Sequence, residues 1–491
     1  MEYLSRTLVA AELKNKVVSD FRSIVVGLVF AFPATMTGAS ESEISEGTFA
    51  MMAGGKCDLP NSSDCYLKDP AKAGVVIDNL ASAGVTRFLV PSTELSELRM
   101  LGGLIRERGL TFYTYERWSF EASLIDNEFS CTAFSENRIS KVLEPLRQEF
   151  GSTFAGLHFK DEPPETQVEA LGKLTDCVRK DRRLAGIKII VNLLPIHANA
   201  ASYAGTQHAG AMSPIEYGVD CRLGQISDPE KTASMVGKYS AYAQSISDVV
   251  RPDYLAFDIY PFVRSLVSCP AAQRLLLAEN MSIVTNLGRS RGQVPVAYLQ
   301  NVRSLGGASG PDPFQYASFH ELRWFAGWFN VFGGSTFANF VSHDLRTNVT
   351  DVQPHTQGLL AADNSPTPLL SDQASTYGVT RQLYKALNGV SHIGFVDSEL
   401  GVNKGKLAGW ISSGDFIVGE YANADQSSSR LVVASRNPRQ SVRGLIGLNS
   451  WWTKVEQLDY ETGLWSVVGN STNAIDVNIS VDPVIIYRLT R

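Results

Sequence analysis

The chain has 491 residues, 44% of them hydrophobic and 19% charged, with a formal net charge of −6 and a pI near 5.8. That is enough apolar chain for a large domain plus a smaller one, and the weakly acidic balance gives no electrostatic footprint for nucleic acid or an anionic membrane surface. The six cysteines and seven histidines form no CxxC pair and no HExxH, so neither a metal site nor a cofactor is expected.

Residues 1–22 have helical spacing (Leu4, Leu8, Ala11, Leu13, Val17) and read as an N-terminal helix. Residues 23–32 are nearly all β-branched or aromatic, the pattern of a strand buried on both faces. The apolar run 24–32 is too short to cross a bilayer. Mixed charge precedes it, not a basic segment with a cleavage site, so neither membrane insertion nor a signal peptide is expected. A polar loop over 33–70 follows. Within it Cys57 and Cys65 are spaced to close a small disulfide loop. That spacing and five N-x-S/T sequons (Asn61, Asn280, Asn348, Asn470, Asn478) favour an extracellular setting, against which the missing signal peptide stands.

From 72 onward helices and strands alternate. Helices are expected at 72–84, 93–108, 136–150, 165–183, 229–250, 270–289, 313–331 and 372–388. Strands are expected at 85–90, 110–115, 154–160, 187–194, 254–260, 294–299 and 335–341. With 23–32 this makes eight short apolar strands separated by helical segments, which predicts a closed (β/α)8 barrel over 1–390. An open doubly wound sheet would carry a Gly-rich phosphate loop after its first strand, and 30–33 has none. From 391 to 491 the helical period disappears and alternating segments are spaced by Gly, Asn, Asp and Ser turns. This stretch predicts an antiparallel β-sandwich.

In a barrel, the residues that end the strands converge on one face. The first expected strand gives Pro33 and Thr35, and the second gives Ser92 and Glu94. The third gives Tyr115, Glu116 and Trp118, and the fourth Lys160, Asp161 and Glu162. Asn192 and His197 follow the fifth, Asp258, Tyr260 and Phe262 the sixth. Gln300, Asn301 and Arg303 follow the seventh, and Asn339, Ser342, His343 and Asp344 the eighth. Carboxylates, amides and rings together have the chemistry of sugar recognition, in which rings stack on pyranose faces and polar groups bind hydroxyls. An oligosaccharide or polysaccharide is therefore the expected partner. Lys160 alone gives a Schiff-base mechanism little support.

The segment 156–163 (GLHFKDEP) resembles the fourth strand of (β/α)8 glycoside hydrolases of the β-galactosidase/cellulase clan, in particular its K-D-E-P branches. The segment 253–262 (DYLAFDIYPF) resembles the sixth strand of the same branches. The resemblance implies Glu162 as general acid/base, with its pKa raised by neighbouring Asp161, which stands where the clan usually has Asn. It also implies a Glu nucleophile at the end of strand 7, where this chain has Gln300, a side chain that cannot ionise. Asp258 is the foremost replacement, as base or nucleophile. Glu116, Glu321 and Asp344 are further carboxylates that would have to swing into the site. Otherwise the barrel is a degenerate enzyme that binds glycan without cleaving it.

Each side chain also has a purely structural reading. Glu321 reads as a helix cap or surface charge, and Trp324, Phe325, Trp328 and Phe329 as core. Tyr115, Trp118 and Tyr260 are expected to line the pocket beside Asp161, Glu116, Asn192, Gln300, Asn301 and Asn339. His343–Asp344 is a weak acid/base pair. Trp451–Trp452 reads either as a sugar platform or as packing at an edge.

Overall fold

The computed structural model describes residues 48–54, 57, 65–116, 129–207, 210–305, 314–345, 356–425, 427–480 and 482–491. Eight parallel strands close a barrel: β1 (Thr48–Met51), β2 (Arg87–Val90), β3 (Thr111–Tyr115), β4 (Phe154–Asp161), β5 (Lys188–Leu193), β6 (Tyr254–Asp258), β7 (Val294–Leu299) and β8 (Thr336–Asn339). Each strand pairs with its neighbours in sequence, and β1 closes the ring between β8 and β2.

The first strand is a correction. It lies inside the stretch 33–70 read as loop, while the helix at 1–22 and the strand at 23–32 fall outside the described residues. Four residues, TFAM, are too few to show a period. Their identity as a strand comes from pairing Ala50 with both Asn339 and Phe88.

The strands are largely apolar because both faces are covered. Outward residues such as Phe112, Leu157, Phe159, Val191, Phe257 and Leu299 pack against the helices, and inward residues fill the lumen. The lumen floor is an aromatic plug. Phe49 meets Tyr113 and Tyr254 edge-on, each with centroids 5.2 Å apart, and the Arg87 guanidinium sits 5.1 Å from the Phe49 ring. Above this plug, Asp161, Asn192 and Asp258, at or near the ends of β4, β5 and β6, lie at the upper, C-terminal end.

The helices are α1 (Pro70–Ser82), α2 (Leu95–Glu107), α3 (Glu144–Phe150), α4 (Val168–Lys180), α5 (Pro229–Ser245), α6 (Pro270–Arg291), α7 (Phe319–Val331) and α8 (Pro368–Leu387). α3 continues a short helix, Cys131–Phe134, through a π-helical stretch, Ser135–Leu143. α4 buries Val168, Leu171, Leu174 and Val178, the stripe its spacing predicts. α5 has Pro229 in its first turn and is capped by Asp228, which accepts from Lys231 N–H at 3.2 Å. α7 starts later than expected because Ser318 and Glu321 form a capping box that fixes its first turn.

Beyond α8 the chain forms β9 (Ser391–Val396), β10 (Ala408–Ile411), β11 (Phe416–Ala422), β12 (Ser428–Ser435), β13 (Val442–Leu458), β14 (Trp465–Ile479) and β15 (Val484–Thr490). They make an antiparallel sheet in the order β9-β11-β12-β15-β13-β10, with β14 also on β13. The long, bulged β13 pairs with β14 along both halves, with β10 along its first half and with β15 near its end, folding the sheet into a sandwich.

Strict alternation gives the central strands two buried faces. Phe416, Val418, Leu431, Val433, Ile485 and Tyr487 point into the sandwich core. Ile417, Val432, Ala434, Val484 and Ile486 point to the barrel. There Trp324 and Trp328 of α7 both donate their indole N–H to Ser435 O, at 2.7 and 2.8 Å. These tryptophans, with Phe325 and Phe329, are buried core as expected.

All six cysteines are paired. Cys57–Cys65 closes the expected small loop, Cys131–Cys177 ties the helix before α3 to α4, and Cys221–Cys269 ties the β5–α5 connection to the start of α6. Among the described residues no helix is long and apolar enough to cross a membrane.

Candidate active site

The strand β4 carries a bulge between His158 and Lys160. His158 lies opposite Ile190 of β5 and Asp161 opposite Asn192, so three residues of β4 span two of β5. In a regular strand, His158 and Asp161 would face opposite sides. The bulge shifts the alternation by one, so both face the lumen while Leu157 and Phe159 stay outside.

Asn192 Nδ2 then donates to Asp161 Oδ1 at 2.7 Å. Glu162 follows with φ +49°, a left-handed conformation unusual for a residue with a side chain. Its N–H donates to Asn192 O at 2.9 Å. That bond holds the strained turn at the point where the strand ends.

Asp258, the last residue of β6, alternates inward from Tyr254 and Ala256. It lies within hydrogen-bonding reach of both Asn192 and Glu162. Burial and then the charge of Asp161 push its carboxyl up to about 8, against the hydrogen bonds that favour its ionised form. Asp258 thus retains a proton at neutral pH. Asp161, Glu162 and Asp258 gather at the mouth, with Asn192 between two of them.

Rings surround this group. Tyr115 lies against His158 with centroids 4.8 Å apart. Tyr260 packs on Phe314 and Phe340 at 5.3 and 5.9 Å. Tyr298 of β7 is buried in the lumen. Burial raises the phenols of Tyr260 and Tyr298 well above their ordinary range, so both stay protonated. Burial likewise lowers His158 to about 4 despite the nearby Asp161, leaving its imidazole neutral. The His158 ring nitrogens, Asn192 Oδ1, Asp258 Oδ1 and the Tyr260 hydroxyl are all buried with no protein hydrogen-bond partner.

Several expected site residues have other tasks. Glu116 is fully buried and accepts from Arg138 at both oxygens (2.8 and 2.9 Å) and from Thr114 at 2.6 Å. Gln300 accepts from Phe262 N–H at 2.8 Å and donates to Phe262 O and Gln315 O at 3.1 Å each. Its amide therefore joins the connections after β6 and β7.

Asn301 donates to Asn339 Oδ1 at 2.9 Å, and Tyr377 of α8 donates to the same oxygen at 3.4 Å. Asn339 shares the outward face of β8 with Phe337, so this pair sits between strand ends and helix layer. Trp118 lies outside the described residues.

The alternative carboxylates are also held elsewhere. Glu321 completes the α7 capping box and pairs with Arg439, so the structural reading of this residue stands. Asp344 accepts from Gly358 N–H at 3.1 Å. His343 stacks on Tyr66 at 4.2 Å and bonds to Ser342 and Asn364. Burial lowers its pKa to about 4.

His158 and Tyr298 were missed in the sequence although both are lumen residues. Period two from Val296 along β7 would have found Tyr298. Only the bulge explains how His158 and Asp161 share a face. Among the described residues no group of three or more His, Cys, Asp or Glu is arranged to hold a metal ion.

No protein-family model and no curated protein matches the chain. Among solved structures it is similar to a family 39 glycoside hydrolase from Bacteroides cellulosilyticus WH2, at 11% identity over 92% of this chain and 82% of that one, with a TM-score of 0.42. It is similar to a GH51 α-L-arabinofuranosidase from Thermotoga petrophila RKU-1 at 8% identity, covering 92% and 97%, with a TM-score of 0.40. A GH5_18 protein from Streptomyces cattleya is 12% identical, covering 69% and 81%, with a TM-score of 0.42. Similarity this low carries nothing about the site, whose reading rests on its own side chains.

Proposed function

We propose that this protein is a glycoside hydrolase in which Glu162 and Asp258 perform the acid–base chemistry. The observation that carries this reading is the meeting of these two carboxyls at the barrel mouth with a proton held at neutral pH. Two carboxyls with one proton between them are the requirement for cleaving a glycosidic bond. The proton passes to the glycosidic oxygen as the bond from C1 to that oxygen breaks. Water then attacks C1 and gives its own proton to the carboxylate left behind, which restores the pair.

Asp161 and Asn192 are positioning residues in this scheme, acting on Asp258 through charge and a hydrogen bond. Tyr115, Tyr260 and Tyr298 supply apolar ring faces and hydroxyls to a sugar. The polar atoms that lack protein partners are suited to its hydroxyls. The three disulfides fit a secreted protein acting on extracellular carbohydrate.

One observation favours a second reading, a glycan-binding barrel without turnover. Gln300 stands where the resembling enzymes carry a nucleophile, and its amide is occupied by the backbone of Phe262 and Gln315.

Hydrolysis of a panel of aryl glycosides and oligosaccharides by wild type, Glu162→Gln and Asp258→Asn separates the two. Turnover on at least one substrate, reduced by about 100-fold or more in each variant, is expected for loss of an acid or base. Wild type inert across the panel, or unaffected variants, would leave glycan binding as the function.

A further inference from the structure

The sandwich carries a second surface with sugar-binding chemistry, on residues that the sequence did not single out. Trp452 is 1% exposed and belongs to the sandwich core, with the Arg491 guanidinium 5.1 Å from its ring. The exposed ring that is held in place is Trp410 of β10, 49% accessible.

β10 runs antiparallel to β13, with Ala408 opposite Leu448, Trp410 opposite Gly447 and Ile411 opposite Ile446, and a bulge between Ala408 and Trp410. Ala408, Ile446 and Leu448 face the core. Regular alternation would send Trp410 to the core as well, and the bulge turns it outward. There the indole covers Gly447. A Cβ on this glycine would collide at once with Nε1, Cε2 and Cδ1 of Trp410, three adjoining ring atoms that can be met together only from above the ring plane. The pyrrole part of the ring therefore lies flat on the backbone, and only glycine leaves room for it.

The same outer face carries exposed Arg443 and Leu445 on β13, opposite exposed Asn478 and Asp476 on β14. The sheet face that carries the flat ring thus also carries a guanidinium, a carboxamide and a carboxylate further along the same strands. Sugar hydroxyls both donate and accept, and a pyranose presents a C–H face to a ring, so the surface complements a carbohydrate. One indole and one leucine are too little apolar area for a stable protein interface, which needs about 800 Å2 per partner. The carboxylate argues against an anionic membrane.

We infer that the outer sheet face around Trp410 is a glycan-binding site that takes a neutral oligosaccharide chain by stacking one sugar ring on the indole. This site is independent of whether the barrel cleaves.

The test is retention of the full chain on cellulose, chitin, xylan, mannan and galactan, with native affinity electrophoresis in their soluble forms. Wild type is expected to bind at least one of them. Trp410→Ala should weaken that binding by about tenfold or more at unchanged melting temperature. Gly447→Val should act likewise by lifting the ring, and Trp410→Phe should keep part of the affinity. Trp451→Ala, which removes a 67% exposed ring elsewhere on β13, and Glu162→Gln should bind as wild type. Wild type bound by none of the glycans, Trp410→Ala bound as tightly as wild type, or equal loss in Trp451→Ala would overturn the inference. Turnover of a short aryl glycoside by Trp410→Ala, expected unchanged, reports on the barrel separately.

Discussion

Asn192 donates to Asp161 Oδ1 at 2.7 Å across the β4–β5 ladder, and its own carbonyl accepts from Glu162 N–H at 2.9 Å. One residue thus fixes both members of the carboxylate dipeptide, and it also lies within reach of Asp258. Asn192→Ala should cost about 1–3 kcal/mol in urea unfolding, because it leaves the half-buried Asp161 carboxylate without its donor. It should also raise the pKa of Asp258, since the Asn192 hydrogen bond favours the ionised form. The basic limb of the pH–rate profile should move upward relative to wild type.

In wild type that limb should fall near pH 8, where Asp258 loses the proton needed for catalysis. Asp258→Asn should abolish it together with the activity. A flat profile from pH 7 to 9 would remove Asp258 from the proton-holding role.

The same shift has a stability consequence. The folded pKa of Asp258 lies above the unfolded value of 3.8, so its ionisation is favoured by unfolding. The resulting penalty is absent below about pH 4, grows as pH rises, and levels off above about pH 8. Asp258→Asn should therefore raise the melting temperature at pH 8, by on the order of 2 °C, and change it little at pH 4. His158 acts in the opposite direction. Its pKa falls from 6.5 to about 4 on folding, so its contribution is present above pH 6.5 and is lost as pH falls towards 4. His158→Gln should flatten the acid limb of the melting curve.

Gln300 stands where the resembling enzymes carry a nucleophile, yet Gln300→Glu should not create one. Its Nε2 donates to two backbone carbonyls, which a carboxylate would face without a donor. A loss of about 2–5 kcal/mol with no gain in turnover is expected. Any rate increase would mean that the position is catalytic.

Glu116→Gln should destabilise by about 3–5 kcal/mol, because Arg138 is left buried without its counter-charge. Replacing both residues with leucine should recover much of that loss. Equal destabilisation in the single and double variants would contradict a purely structural pair.

Much of this architecture was legible as periodicity. Outward Leu157 and Phe159, the Val168–Val178 stripe and the two-faced strands of the sandwich follow directly from which positions must be apolar when sheets are covered on both sides. The carboxylates at the ends of β4 and β6 were visible for the same reason, since strand ends are where that apolar demand stops.

Tertiary structure alone decided what those residues do. β1 is a strand only because two neighbours pair with it. Glu116, Gln300, Asn301 and Asn339 read like ligands of a sugar until Arg138, Phe262 and Tyr377 are seen to occupy them. Bulges at His158–Lys160 and Ala408–Trp410 shift the alternation by one residue, bringing Asp161 into the lumen and Trp410 to the surface. A sequence records which side chains are present and at what period. A bulge changes the phase of that period through backbone hydrogen bonds to another strand, and those bonds exist only in the folded chain.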